Sequence, residues 1–269
     1  MLQGKVVVVT GAGGAGCGRA VARRFAHEGA NVVVSDIDRA GMDETAALIR
    51  DAGGTVEACQ ADMRSKEEVE ALIAFAERKF GRLDVLVNNA SSGLFHPDRP
   101  LDYWDEMVAV DLLGTLWATR SAIDVMRRSG SGAIVNFSST SALAHGRLKG
   151  SGSPAYDVAK AGVLRLTTML GYLGPKENIR VNCIAPDWVA APQVQKYFDS
   201  LTAEQRKADG VPSRLTSLDE IANAVLQLAT DVELYGRVLV WWSDDAPKLI
   251  GWGDPGHTLL TAFASADKE

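Results

Sequence analysis

Short runs of β-branched residues alternate with longer helix-like segments along this chain, and the alternation restricts the fold more than any other feature. The runs are almost continuously apolar, as expected of parallel strands covered by helices on both faces. Seven strands are predicted, at residues 5–10, 31–35, 55–60, 83–87, 133–137, 179–184 and 237–242. Helical periodicity with Ser, Asp, Pro and Gly at the ends predicts helices at residues 19–27, 39–52, 66–80, 101–127, 155–172 and 218–230.

The simplest arrangement of these elements is an α/β fold, a Rossmann-like doubly wound domain with a seven-stranded parallel sheet flanked by helices. With 269 residues, 46% of them hydrophobic, the chain can bury one large core. We therefore expect a single domain over residues 1–269, with 243–269 as an atypical tail. Residues 144–154 and 192–212 are predicted to be long connections at the carboxyl edge of the sheet.

Composition excludes several functional classes. A net charge of −6 with scattered Lys and Arg does not provide the basic field that nucleic acids require. No apolar stretch approaches the roughly 20 residues of a membrane span, and the first strand begins too early for a signal peptide, so a cytoplasmic protein is expected. Cys17, Cys59 and Cys183 lack any metal-ligand spacing and are expected to be reduced thiols.

A glycine-rich segment, residues 11–18, follows the first predicted strand directly and leads into a helix. Glycines allow the backbone to approach a pyrophosphate, and exposed N–H groups at a helix start attract its negative charge. Gly11, Gly16 and Gly18 are therefore candidate cofactor-binding residues.

Asp36 ends the second predicted strand, where a carboxylate can accept hydrogen bonds from the adenosine ribose and repel a 2′-phosphate. NAD is favoured over NADP for this reason. Arg39 is close enough along the chain to keep NADP as the alternative.

Tyr156 and Lys160 have the four-residue spacing that places two side chains on one face of a helix. A free tyrosine has a pKa near ~10, and a neighbouring ammonium together with a cationic nicotinamide favours the phenolate. Ser139, at the end of the fifth predicted strand, can hydrogen-bond a substrate oxygen. The three residues form a set suited to oxidising an alcohol or reducing a carbonyl.

With these motifs in this order, the sequence resembles the short-chain dehydrogenase/reductase family over about residues 5–240. The resemblance implies hydride transfer and assembly as a homotetramer or homodimer. It places Asp62 at the adenine amine and Asn88 beside the adenosine ribose. It also assigns cofactor contacts to Met63, Ala90, Tyr156, Lys160, Pro186 and Val189.

Three departures from the family pattern bear on the site. The glycine segment is one residue longer than usual. Asp111 occupies the position of a catalytic asparagine, where it can hold a water beside Lys160, pair with Lys160 directly, or be only a helix-bend or solvent-facing carboxylate. Ala191 replaces a threonine that contacts the carboxamide, so the backbone of Val189 is expected to provide that contact.

The substrate end is expected to differ from the family as well. The segment between Ser139 and Tyr156 is long, which places His145, Leu148 and Lys149 near a substrate, although a loop role is the main alternative for His145. A loop role is likewise the main alternative for His96. Trp188 is a candidate for lining the pocket. The Trp241 and Trp242 doublet is expected to contribute packing.

The function predicted from these residues is NAD-dependent interconversion of a secondary alcohol and a ketone, with Tyr156 as acid and base. A non-redox enzyme on the same scaffold, such as a dehydratase, epimerase or cyclase, is the alternative, motivated by Asp111, Ala191 and the tail. A cofactor-sensing protein would require Ser139, Tyr156 and Lys160 to be idle.

Overall fold

The structure, a computed structural model, describes residues 2–93, 103–143, 153–251 and 253. Its strands are β1 (Val6–Thr10), β2 (Asn31–Ser35), β3 (Thr55–Ala58), β4 (Val85–Asn88), β5 (Gly132–Phe137), β6 (Ile179–Pro186), β7 (Val238–Trp241) and β8 (Lys248–Leu249). They form a sheet in the order β3-β2-β1-β4-β5-β6-β7-β8. The first seven strands pair in parallel and β8 is antiparallel to β7. The predicted doubly wound α/β fold is confirmed.

Helices connect these strands. They are α1 (Cys17–His27), α2 (Arg39–Asp51), α3 (Lys66–Phe80), α4 (Tyr103–Val108), α5 (Thr115–Ser129), α6 (Pro154–Met169), α7 (Leu173–Glu177), α8 (Pro192–Asp199), α9 (Ala203–Asp209) and α10 (Leu218–Thr230). A π-helical segment spans Ala109–Gly114, and a 3-10 helix spans Thr140–Leu143. Among the described helices, none combines the length and apolar character needed to cross a membrane.

The sheet is buried on both faces, as its apolar strands predict. In β1, Val7 and Val9 enter a core that includes buried side chains of α1, α2 and α10. Val6 and Val8 point the opposite way, into a core with buried residues of α3 and α5. Because side chains alternate along a strand, a continuously apolar strand must be covered on both sides. Polar residues such as Asp36 and Ser139 lie beyond the carboxyl ends of the strands instead.

Helices α3 and α10 begin and end where the sequence predicts. The Ser65 hydroxyl accepts a hydrogen bond from the backbone N–H of Glu68 at 3.2 Å, and Gly81 ends α3 in the left-handed conformation at φ 77°. Ser217 and Glu220 form a reciprocal capping box at the start of α10. Local capping chemistry is sufficient to fix these boundaries.

The prediction of a long connection at residues 192–212 is wrong, because α8 and α9 lie within it. Neither helix has a buried residue, and their apolar periodicity is weak: it is limited in α8 to Val194, Tyr197 and Phe198. The start signals are nevertheless in the sequence. Pro192 occupies the first turn of α8, and Thr202 forms a capping box with Gln205 at the start of α9.

Three other predictions need correction. The single helix expected at 101–127 consists of α4, the π-helical segment and α5, and its first two residues lie outside the described part. The helix expected at 155–172 ends at Met169 and is followed by the separate helix α7. The atypical tail adds β8, so the described sheet has eight strands where seven were predicted. Residues 144–152 of the other predicted connection lie outside the described residues.

Candidate active site

A cleft of about 1430 Å³ opens at the carboxyl edge of the sheet, where β1, β2, β4, β5 and β6 end. Open α/β sheets bind their ligands at this edge, at the point where the strand order reverses. The residues around the cleft come from both the glycine segment and the helix that carries Tyr156. The predicted site residues that line it are Gly11, Gly16, Gly18, Asp36, Asp62, Met63, Ala90, Ser139, Tyr156, Lys160, Pro186 and Val189.

The glycine segment needs its glycines at specific positions. Gly11 has a φ of 65°, and a Cβ there would lie 2.6 Å from the Cα of Ala90. A Cβ on Gly18 would collide with the carbonyl oxygen of Gly11. Gly16, by contrast, has room for a Cβ, because the nearest atom would be the Ala191 Cβ at 4.0 Å. It lies immediately before α1 and lines the cleft. This cradle fits a pyrophosphate, because Cys17 and Gly18 at the start of α1 line the cleft and a helix start attracts negative charge.

Asp36 is held by two backbone donors. Its Oδ2 accepts from the N–H of Gly13 at 2.7 Å, and its Oδ1 accepts from the N–H of Asp38 at 3.0 Å. The Gly13 contact also requires glycine, because a Cβ there would lie 2.8 Å from the Asp36 carboxyl carbon. The carboxylate is thus fixed at the cleft wall beside the glycine segment.

Two arginines near Asp36, Arg39 of α2 and Arg19 of α1, form hydrogen bonds or ion pairs with other groups. Arg39 forms an ion pair with Asp43 at 2.9 Å on the exposed face of α2. The Arg19 guanidinium donates to the Gly13 carbonyl at 2.7 Å and to Glu44 at 2.8 Å. Both arginines therefore have acidic partners, which reduces their value as clamps for a 2′-phosphate.

Asp62 lies in the cleft, but its carboxylate already has a partner that the sequence analysis missed. Arg64 donates to both carboxyl oxygens, with the shortest contact 2.6 Å, and also approaches Glu106 at 3.4 Å. Hydrogen bonding by Arg64 holds the pKa of Asp62 below its usual value. Any adenine contact by Asp62 would therefore be shared with the Arg64 guanidinium.

The side chain of Asn88 does not line the cleft. Its amide donates to Thr119 Oγ1 at 3.0 Å and to Asn136 Oδ1 at 2.8 Å within the core. The next residue reaches the glycine segment instead, because Asn89 Nδ2 donates to the carbonyl oxygens of Thr10 and Gly11, both at 3.0 Å. The structure does not support a ribose contact by the Asn88 side chain, whereas Asn89 and Ala90 line the cleft.

Tyr156 and Lys160 lie on one face of α6, as their spacing predicts. The Lys160 ammonium is 5.3 Å from the centre of the Tyr156 ring and donates to the carbonyl oxygen of Phe137 at 3.2 Å. Ser138 fixes this part of α6 further, because its hydroxyl donates to the Lys160 carbonyl oxygen at 2.8 Å. Ser139 comes next, two residues after the end of β5, and faces the cleft.

The pKa of Tyr156 lies above its usual value, whereas the sequence predicted surroundings that favour the phenolate. Burial of the ring raises the pKa of Tyr156. The Lys160 charge and the Ser139 hydroxyl act in the opposite direction, while Asp111 raises the pKa further. The net direction is upward, so the surrounding protein alone does not favour the phenolate. A cationic group bound beside the ring would be needed to lower it.

Asp111 pairs directly with Lys160 and is fully buried, at 0% exposure. Its Oδ1 lies 3.0 Å from the Lys160 ammonium, and its Oδ2 accepts from the N–H and the hydroxyl of Ser92 at 3.0 and 2.9 Å. The π-helical segment that contains Asp111 changes the direction in which its residues face, a feature often found at functional sites. Of the three alternatives that the sequence left open, the structure therefore contains the direct pair within a distorted helix.

The Lys160 ammonium stays protonated in this environment. Burial is the largest single influence and acts to lower the pKa of Lys160, but the surrounding groups, with Asp111 foremost, together outweigh it and the net direction is upward. A buried charge without such a partner would instead lose its proton. The pair keeps a fixed positive charge beside Tyr156 while reducing the field that this charge exerts.

The turn after β6 forms the remaining wall of the cleft. Trp188 lines it, as predicted, and its ring stacks on Tyr197 of α8 with centroids 6.0 Å apart. Val189 forms an isolated parallel bridge with Thr216. His96, His145, Leu148 and Lys149 lie outside the described residues, so their proximity to a substrate stays a prediction.

The tryptophan doublet and the three cysteines lie in different surroundings. Trp241 is buried in the core below α1 and α10, whereas Trp242 is partly exposed. All three cysteines are free thiols. Cys17 borders the cleft, and burial raises its pKa to about 12, so this thiol stays protonated at neutral pH.

Comparison with known proteins gives consistent matches. A family profile described as short chain dehydrogenase matches residues 5–202. Cis-4-hydroxycyclohexanecarboxylate dehydrogenase of Sinomonas cyclohexanicum is 36% identical over 232 residues, which cover 84% of this chain and 90% of that protein. L-rhamnose 1-dehydrogenase (NAD(P)(+)) of Azotobacter vinelandii is 36% identical over 244 residues, covering 87% and 93%.

A solved structure, that of levodione reductase, matches with a TM-score of 0.79 and 29% identity, covering 91% of this chain and 98% of that chain. The relatives described here are dehydrogenases and reductases. The chain therefore belongs to the short-chain dehydrogenase/reductase family of oxidoreductases.

Proposed function

We propose that this protein is an NAD-dependent oxidoreductase that interconverts a secondary alcohol and a ketone, with Tyr156 as the acid and base. One observation carries the proposal. Ser139, Tyr156 and Lys160 line the same cleft as a glycine cradle that fits a pyrophosphate. A dinucleotide held at one end of that cleft would bring a redox ring towards the other end, where the proton-transfer group lies.

In the proposed mechanism, the glycine segment and Asp36 would hold the dinucleotide, and the backbone of Val189 would hold its carboxamide. The nicotinamide ring accepts or donates the hydride when it is bound. Ser139 orients the substrate oxygen by a hydrogen bond. During oxidation, Tyr156 Oη takes the hydroxyl proton as the carbinol C–H bond breaks, and during reduction it returns that proton to the oxygen. Lys160 supplies a fixed positive charge beside the phenol.

The experiment that tests the redox chemistry follows nicotinamide absorbance while the protein is mixed with NAD and a panel of secondary alcohols. The panel begins with hydroxycyclohexane carboxylates and sugars, because two relatives are named for such compounds. An increase in reduced cofactor that depends on the alcohol supports the proposal. Conversion of a panel compound without any net change in cofactor would support the non-redox alternative that Ala191 and Asp111 motivate.

Cofactor preference gives a separate prediction. NADH is expected to bind about tenfold more tightly than NADPH or better, because the fixed Asp36 carboxylate repels a 2′-phosphate. Titration by nicotinamide fluorescence measures both dissociation constants. Asp36→Ser is expected to reduce the ratio of the two constants, while the control Asp51→Ser, at the exposed end of α2, should leave it unchanged. Equal affinities of the unaltered protein for both cofactors would exclude the proposed preference.

The buried pair predicts the pH dependence of oxidation. The reactive form of Tyr156 is the phenolate, so the rate rises as pH rises through the Tyr156 pKa. Burial and the Asp111 charge both raise that pKa. In Asp111→Asn the carboxylate that keeps Lys160 protonated is lost, and the ammonium charge that lowers the Tyr156 pKa is lost with it. Because Lys160 acts on Tyr156 more strongly than Asp111 does, the midpoint of this rise is expected to move to higher pH by about one unit.

The kcat/KM profile for the alcohol measures the shift, with Asp43→Asn as a surface control for the same chemical change. The measurement is made below the temperature at which the variant unfolds. A midpoint that stays in place, or moves to lower pH, would show that Asp111 does not act on Tyr156 through Lys160.

A further inference from the structure

The beginning of the atypical tail makes an unexpected contact with the cleft. Ser243 follows β7 and is fully buried, at 0% exposure. Its hydroxyl oxygen accepts from the backbone N–H of Trp188 at 3.1 Å and donates to the carbonyl oxygen of the same residue at 3.0 Å. The Thr216 hydroxyl donates to Ser243 Oγ at 3.4 Å. One serine thus binds both backbone polar groups of the cleft residue Trp188.

These contacts use the full capacity of the hydroxyl, which has one donor and two acceptor sites. Two backbone hydrogen bonds also hold the turn that contains Trp188. The N–H of Asp187 donates to the carbonyl oxygen of Trp241 at 2.9 Å, and the N–H of Thr216 donates to the Trp188 carbonyl oxygen at 2.9 Å. Because water has no access to Ser243, losing its hydroxyl would leave the Trp188 N–H to find another partner at a cost.

Trp188 is placed to contact substrate. It lines the cleft between Pro186 and Val189, and its ring stacks on Tyr197. Asp187, the residue before Trp188, ties this turn to the segment after β5 that contains Ser139, because the Thr140 hydroxyl donates to Asp187 Oδ1 at 3.2 Å. A displacement of the Trp188 backbone would therefore move an aromatic wall of the pocket relative to the proton-transfer residues.

We propose that Ser243 is a positioning residue that fixes the Trp188 backbone and thereby the aromatic wall, the Trp188 ring stacked on Tyr197, against which the substrate binds. This inference rests on the proposed function for its kinetic consequence. The bracing itself is a property of the folded chain. Ser243 touches neither the cleft nor the proton-transfer residues in the described structure, so its effect on turnover must pass through Trp188.

The test compares Ser243→Ala with Ser213→Ala. Ser213 also bonds the tail, through Asp244 at 2.6 Å, but its hydroxyl has no bond to Trp188. Amide hydrogen exchange of residues 187–191 is expected to become about tenfold faster in Ser243→Ala and to stay unchanged in Ser213→Ala. In kinetics, Ser243→Ala is expected to raise the KM for the alcohol about fivefold with kcat within about twofold, the pattern of lost uniform binding.

A double variant tests whether the effect passes through the wall. Tyr197→Leu removes the stacked ring, and Ser243→Ala added to it should raise KM by much less than fivefold if both act through Trp188. Additive effects would overturn that route. Unchanged exchange in Ser243→Ala would overturn the brace itself. If the unaltered protein shows no cofactor turnover, the proposed function fails, and the exchange result alone then decides the proposal about Ser243.

Discussion

Tyr156→Phe is expected to lower kcat/KM for alcohol oxidation by about a thousandfold, because the variant loses the group that takes the hydroxyl proton. The ring and its packing beside Lys160 remain. Binding of NADH, measured by fluorescence titration, should change by less than about twofold, since the glycine segment and Asp36 are untouched. The two measurements together separate loss of chemistry from loss of binding.

The matched control for this prediction is Tyr172→Phe, which removes a phenolic hydroxyl at an exposed position after α6. It should leave both the rate and NADH binding as in the unaltered protein. Tyr156→Phe protein that kept more than about a tenth of the normal rate would remove Tyr156 from the mechanism, because acid–base groups contribute more than this.

Lys160→Met is expected to destabilise the fold by about 3 kcal/mol, because it leaves the Asp111 carboxylate buried without its cationic partner. Lys160 is only 3% exposed and Asp111 is fully buried, so water cannot compensate. Adding Asp111→Asn to Lys160→Met removes the uncompensated charge and should restore at least half of the lost free energy. Urea unfolding at neutral pH measures both changes.

An exposed ion pair provides the control for this prediction. Arg39 and Asp43 are 2.9 Å apart with side chains 63% and 53% exposed. Arg39→Met should change the unfolding free energy by less than about 1 kcal/mol, as usual for surface pairs. A Lys160→Met variant as stable as the unaltered protein, or a double variant less stable than Lys160→Met, would contradict the account of a coupled buried pair.

Local sequence signals predicted much of the fold and most of the cleft. Continuous apolar strands, the capping residues at α3 and α10, and glycines followed by a helix each act within a few residues of the chain. The order of these signals was enough to place Asp36, Tyr156 and Lys160 at one edge of the sheet. Helices α8 and α9 were missed because the prediction relied on apolar periodicity, which these exposed helices do not need.

The remaining features depend on contacts between distant parts of the chain. Sequence spacing could not show that Arg64 folds back onto Asp62, or that Asn88 turns into a polar network in the core while Asn89 serves the glycine segment. The choice between the alternatives for Asp111 required the π-helical geometry. Ser243 gave no local signal, since its partner Trp188 lies 55 residues away.

The central claim is that hydride passes directly between the substrate carbon and the nicotinamide, and isotope transfer tests it most directly. The protein is incubated with the ketone that corresponds to an active alcohol of the panel and with NADH carrying deuterium at the reactive carbon, each face being labelled in turn. The account predicts that one of the two labels appears at the carbinol carbon of the product alcohol, and that Tyr156→Phe abolishes this transfer. Product that forms without label from either face, or that takes its carbon-bound hydrogen from water, would contradict the account.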